Sequence, residues 1–167
     1  MLMLSCDIQP IETVAHFRAL PNCMVWRPAD GNEVSAAYLV SLNAHAPSIH
    51  ALSRQNLPQL EGSSIEKAAK GGYVLKEVEG KPDLTLVSTG SEVALAVEAA
   101  KLLEKNGKKV RVVSLPCFEV FDVQDKDYRL SVLPDGAPVL SIEAMSVSNR
   151  AVVRVLRRLL TACARIL

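Results

Sequence analysis

Arg54 stands in the run Ser53-Arg54-Gln55-Asn56, where a guanidinium could hold a phosphate through two parallel hydrogen bonds. The same residue also reads as an arginine at the surface or at a helix end, and position alone does not separate the two. A second candidate is Ser88-Thr89-Gly90-Ser91. A strand-to-helix turn of that composition offers free backbone N–H groups and the positive end of a helix dipole to an anion. The turn lacks both the G-x-G-x-x-G spacing and the lysine of a P-loop, and Glu92 in the first helical turn would repel a phosphate. A plain crossover capped by Ser91 or Thr89 is the favoured reading. Arg27, wedged before Pro28, reads as structural. His16 and His50 have no Ser, Cys or Asp partner at a predictable spacing, and both read as structural histidines. Cys6, Cys23, Cys117 and Cys163 are scattered, which argues against a disulfide framework and a zinc site and fits small buried hydrophobes in a reducing cytosol. From the residues alone there is one possible anion-binding arginine and no catalytic constellation.

The elements that must carry these residues centre on Leu84 to Pro116, which reads as strand, helix, strand. Leu84, Leu86 and Val87 form an apolar run suited to a sheet covered on both faces. Val93 to Leu103 is rich in Ala, Leu and Val, and Asn106-Gly107 supplies a left-handed C-terminal stop. Val110, Val112 and Val113 form the next strand, so the pattern predicts a parallel crossover. Upstream, a helix is expected from Pro10 to Leu20 and a short strand over Met24-Val25-Trp26. Asp30-Gly31-Asn32-Glu33 has the spacing of a capping box, opening a helix with Val34, Ala37, Tyr38 and Leu42 on its apolar face. Ser48 to Leu52 is the strand that delivers Arg54. Ligands gather outside the carboxyl ends of strands in open parallel sheets, so Trp26 to Asp30 and Ser53 to Asn56 are the loops expected to line a site. Downstream, a helix over Tyr128 to Leu133 and a strand over Pro138 to Glu143 complete a small doubly wound unit.

The fold class expected is α/β: two small three-layer units with mainly parallel sheets, the first incomplete. The 167 residues divide into residues 1–60, a connector at 61–72 rich in Gly and Ser, a second unit at 73–145 and a divergent amphipathic tail at 146–167. In that tail Arg150, Arg154, Arg157, Arg158 and Arg165 fall on one side of a helical wheel. An amphipathic helix from about Ser148 is expected, with its apolar side on the domain rather than on a membrane. A net charge of +1 provides no field for nucleic acid. No run reaches the ~20 apolar residues of a membrane span, and the start lacks the form of a signal peptide. The expectation is a soluble cytoplasmic protein.

Several long strings carry a more specific likeness. Gln9 to Pro21 (QPIETVAHFRALP), Val25 to Val34 (VWRPADGNEV) and Ala51 to Pro58 (ALSRQNLP) closely resemble the transketolase family. So do Gly71-Gly72-Tyr73, Ser88 to Glu92, Val112 to Pro116, Tyr128 to Pro134 and Ser141 to Ala144. The resemblance implies ketol transfer between sugar phosphates in the pentose phosphate pathway, with thiamine diphosphate and Mg or Ca. It identifies residues 1–60 as the end of a pyrimidine-binding domain and 73–145 as most of the carboxyl-terminal domain. It assigns Arg54 to the phosphate of the sugar and leaves catalytic, cofactor and metal positions unfilled. Where the family carries Asp-Gly-Pro-Thr-His before the first string, Leu4 replaces the aspartate and Ile8 the histidine, and isoleucine cannot donate to a phosphate. The partners implied are a sugar phosphate and either a homodimer or pairing with full-length transketolase. The expected state is a truncated form inactive alone, with a non-enzymatic interaction module or a degenerate gene product as the alternatives.

Overall fold

Val110-Arg111-Val112-Val113-Ser114 alternates its side chains between two apolar layers, so this strand must lie inside a sheet covered on both sides. The computed structural model describes residues 13–136, 138–144 and 160–163. In order they form α1 (Thr13–Arg18), β1 (Met24–Trp26), α2 (Gly31–Asn43), β2 (Ser48–His50), α3 (Ile65–Ala68), β3 (Tyr73–Lys76) and β4 (Leu84–Ser88). They continue with α4 (Glu92–Lys105), β5 (Val110–Ser114), α5 (Phe118–Asp122), α6 (Lys126–Val132), β6 (Val139–Ile142) and β7 (Leu160–Cys163). The class is α/β with mainly parallel sheets, as expected.

The larger sheet has the order β3-β5-β4-β6-β7. Strand β4 runs parallel to β5 and β6, β6 runs parallel to β7, and β3 alone is antiparallel, to β5. Leu86, Val110 and Val112 face Val93, Ala96 and Ala100 of α4 together with Ala36 of α2 and Ala68 of α3. On the opposite face Val87, Val113 and Leu115 meet Phe118, Phe121, Val132 and Leu133 of α5, α6 and the residue after it. Small residues on α4 let its backbone approach the sheet, and the bulk on the other face fills the gap under two short helices. Helix α4 stops as the sequence predicts: Gly107 has φ +76°, and Lys108 N donates to Leu103 O at 3.1 Å.

The smaller sheet is β1 paired in parallel with β2. Asp30 caps α2, its Oδ1 accepting from Glu33 N at 3.0 Å. Glu33 reaches back to Ala29 N at 2.7 Å, one residue earlier than a standard capping box. The apolar face of α2 differs from expectation. Ala36 and Ala37 are buried with Glu33, whereas Tyr38 is 49% and Leu42 83% exposed. Glu33 is drawn inward by polar partners on the larger sheet, and this rotates Tyr38 and Leu42 out of the contact. The connector is anchored: Asn32 Nδ2 donates to Ser63 O at 3.1 Å, and Ser64 caps α3 by accepting from Lys67 N.

Of the predicted amphipathic tail helix, residues 160–163 instead form strand β7. The outer edge of β6 would otherwise present a row of unpaired backbone donors and acceptors, which a parallel strand satisfies. The rest of that helix lies outside the described residues.

Candidate functional site

Strands β1 and β2 end side by side, and Ala51 N extends their pairing by donating to Trp26 O at 2.8 Å. The chain leaving each strand must therefore border the same space. A cleft of about 460 Å³ lies there, walled by Pro28, Asp30, Gly31 and Val34 on one side and by Leu52, Ser53, Gln55, Asn56 and Leu57 on the other. These are the two loops that strand direction predicts. The walls are tied together: Asp30 Oδ2 accepts from Gln59 Nε2 at 2.7 Å and from Leu60 N at 3.2 Å. The amino end of the 13-residue helix α2 opens onto the cleft at Gly31 and adds a positive dipole end, partly offset by the Asp30 carboxylate.

Arg54 lies between Ser53 and Gln55, both of which line the cleft. Its side chain is exposed, and it makes no hydrogen bond or ion pair with any other described residue. A surface arginine that is part of a structural ion pair would be engaged with a carboxylate. Among the described residues Arg54 has no such carboxylate, which leaves its N–H donors available to a ligand at the rim.

The other candidates resolve differently. His50 Nε2 lies 2.9 Å from Ser41 Oγ, and the ring meets Tyr38 edge-on at 4.6 Å. Burial lowers the His50 pKa, so the ring is neutral near pH 7. No described carboxylate is hydrogen-bonded to its other nitrogen to orient it as a base, and the pair ties β2 to α2. Pattern reading missed the Ser41 partner because it comes from the preceding helix, nine residues away. His16 is exposed. Cys117 is buried, and burial together with the Glu119 carboxylate pushes its thiol well above the usual range. That favours the unreactive thiol over the thiolate.

The Ser88-Thr89-Gly90-Ser91 turn is filled from within. Arg27 O accepts from Gly90 N at 2.9 Å and from Thr89 Oγ1 at 3.2 Å. Ser91 Oγ donates to Glu92 Oε1 at 2.7 Å, so neither hydroxyl caps α4 in the way local sequence suggests. The donors that might have cradled an anion are spent on the first unit's backbone. Arg27 is structural, as its place before Pro28 implies.

Two protein families match the chain in succession. Residues 7–59 match the transketolase pyrimidine-binding domain, and residues 71–158 match the transketolase-like carboxyl-terminal domain. The chain belongs to the transketolase family. It is 65% identical over 142 residues to transketolase of Kluyveromyces lactis and 67% identical over 141 residues to transketolase 1 of Saccharomyces cerevisiae. Each match covers 84% of this chain and 21% of the relative. A solved Pichia stipitis transketolase in complex with sedoheptulose 7-phosphate superposes with a TM-score of 0.80 at 63% identity, over 84% of this chain and 21% of that one. The chain thus spans about a fifth of the length of the transketolases it matches. Leu4 and Ile8, which stand where the family carries an aspartate and a histidine, lie outside the described residues.

The described residues do not group in a way that fits the family's cofactor. Among the described residues no three His, Cys, Asp or Glu side chains group to hold a metal ion. At the amino terminus of α4, after the Ser88–Ser91 turn, Gly90 N and Thr89 Oγ1 are already engaged by Arg27 O. No diphosphate held through a metal can be placed on these residues, and no step is derived through it.

Proposed function

We propose that this chain serves ketol transfer between sugar phosphates as the part of a cytoplasmic transketolase that holds the substrate's phosphate. Arg54 is the gripping residue, and the cleft between the β1 and β2 loops receives the adjoining part of the sugar. The observation that carries this reading is the exposed guanidinium of Arg54, without a partner among the described residues, beside a cleft built from two strand-end loops. The match to a transketolase bound to sedoheptulose 7-phosphate supports it. Thiamine diphosphate and a divalent metal would be held by surfaces of a full-length transketolase chain paired with this one. The chain alone is then expected to bind a sugar phosphate without turning it over.

Calorimetric titration of xylulose 5-phosphate into the full chain tests the first half. Binding should weaken by roughly 10- to 100-fold in Arg54→Leu, the loss expected for hydrogen bonds to a charged group. Equal affinity for wild type and variant would refute the assignment. Supplying thiamine diphosphate, Mg²⁺, xylulose 5-phosphate and ribose 5-phosphate tests the second half, and turnover by the chain alone would overturn it.

A second reading is a non-enzymatic module that pairs with transketolase. It is favoured by the exposed Tyr38, Leu39 and Leu42 on α2 and by the single described neighbour of β2. Co-purification with full-length transketolase would support it, and a monomeric chain that leaves full-length enzyme unbound would exclude it.

A further inference from the structure

The larger sheet changes direction of winding at β4. The chain passes from β4 to β5 on one side and later returns to β6 on the other. At such a switch point the loops after the two strands diverge and leave a crevice at their carboxyl ends, the usual binding place of open α/β sheets. Here the crevice is bordered by Thr89 and Gly90 after β4, Glu92 in the first turn of α4, and Glu143 after β6.

The crevice holds the side chain of Arg27. Nη2 donates to Glu92 Oε2 at 2.9 Å and Nη1 to Glu143 Oε1 at 2.7 Å. All three side chains are largely buried. The guanidinium lies against Gly90, where a Cβ would come within 3.3 Å of Nη2 and 3.5 Å of Cζ. Arg18 Nη1 reaches the same Glu143 oxygen at 2.9 Å. The main chain of Arg27 is gripped as well: its N donates to Pro116 O at 2.8 Å, and its O accepts from Gly90 N and Thr89 Oγ1. Two carboxylates from different elements therefore receive different nitrogens of one planar fork. An ammonium, a single point charge, cannot span them.

We infer that the β4/β6 crevice is a guanidinium-binding site, filled from within by Arg27, and that this docking sets the position of the Arg27–Asp30 loop against the larger sheet. Pro28 and Asp30 of that loop form one wall of the cleft beside Arg54, so Arg27 is a positioning residue for the cleft. The effect on the cleft rests on the phosphate reading above; the guanidinium site does not. Removing Arg27 leaves the Glu92 carboxylate buried without its cation, with Ser91 Oγ as its remaining donor among the described residues, a costly vacancy that a free guanidinium can refill.

Trp26 is the sole tryptophan, is fully buried and adjoins Arg27, so its emission reports docking directly. In Arg27→Ala the emission should shift to the red and the melting temperature fall by several degrees. Methylguanidinium should restore both along a saturating curve, methylammonium at equal ionic strength should not, and adding Glu92→Gln should abolish the saturation. Wild-type emission and melting in Arg27→Ala, or equal responses to the two cations, would overturn the proposal. If Arg27→Ala folds only when methylguanidinium is present, the proposal stands. If it folds under neither condition, Arg27→Lys decides: it should melt below wild type, and wild-type stability would refute the site. Xylulose 5-phosphate affinity, measured in parallel, should drop in Arg27→Ala and return with methylguanidinium. If wild type itself fails to bind the sugar phosphate, the phosphate reading falls, and the Trp26 readout still decides the guanidinium site.

Discussion

Tyr73 Oη donates to Glu33 Oε1 at 2.8 Å, joining the first strand of the larger sheet to the first turn of α2 across a fully buried contact. Ser114 Oγ, at the carboxyl end of β5, donates to the same oxygen at 2.6 Å. Ala29 N takes the other oxygen at 2.7 Å. One carboxylate thus accepts from three separated elements, and this polar knot accounts for α2 presenting Glu33 rather than Tyr38 to the interior. The contact also fixes the amino end of α2, whose Gly31 borders the cleft.

Tyr73→Phe removes one of the three donors and keeps the ring volume. A buried hydrogen bond to an acidic group lost in this way should cost about 1–3 kcal/mol. Urea unfolding at pH 7 measures it. A midpoint unchanged from wild type would mean the hydroxyl contributes nothing to the junction.

Burial pushes the Glu33 carboxyl above the ordinary carboxylate range, aided by the nearby Asp30 charge and opposed by the Ser114, Ala29 and Tyr73 donors. The folded chain therefore keeps this proton at pH values where the unfolded chain has released it. Proton linkage then makes stability fall as pH rises from the ordinary glutamate value of 4.5 through the raised folded value, and level off above it. Unfolding free energies measured across that range for wild type and Glu33→Gln should converge or cross in this direction. A difference between the two that is constant with pH would contradict the linkage. Tyr73→Phe, with one donor fewer, should carry the decline to higher pH.

Gly71 has φ +82°, and a Cβ there would lie 2.5 Å from Phe121 N and 2.6 Å from Cys117 O. Both neighbours are backbone and cannot swing aside. Gly71→Ala should therefore combine left-handed strain with overpacking, at roughly 2–5 kcal/mol. Gly107 has φ +76° with nothing within 4 Å of its Cβ position, so Gly107→Ala should cost only the strain, about 1–2 kcal/mol. Thermal unfolding of the pair separates the two contributions, and equal losses would show that the crowding at Gly71 is relieved.

Arrangements that depend on neighbouring residues were legible from the chain alone. The alternation of Leu86 and Val87, the small residues of α4 and the Asn106-Gly107 stop encode β4-α4-β5, because periodicity and dihedral preference act over a few residues. Asp30 as a cap, and the two strand-end loops as the walls of a cleft, follow from the same local rules together with strand direction. The strings shared with transketolases likewise identify the family before any fold is known. Tertiary structure alone decided where the polar groups go. Glu33 meets Tyr73 and Ser114 at sequence separations of 40 and 81 residues, and Arg27 meets Glu92 and Glu143 at 65 and 116. The outward turn of Tyr38 follows from the burial of Glu33, while the antiparallel course of β3 and the filling of the Thr89-Gly90 turn by the Arg27 main chain are likewise set by contacts distant in sequence. A charged side chain carries no local mark of its partner, because the partner is chosen by which buried donors and acceptors the folded sheet brings within hydrogen-bond distance.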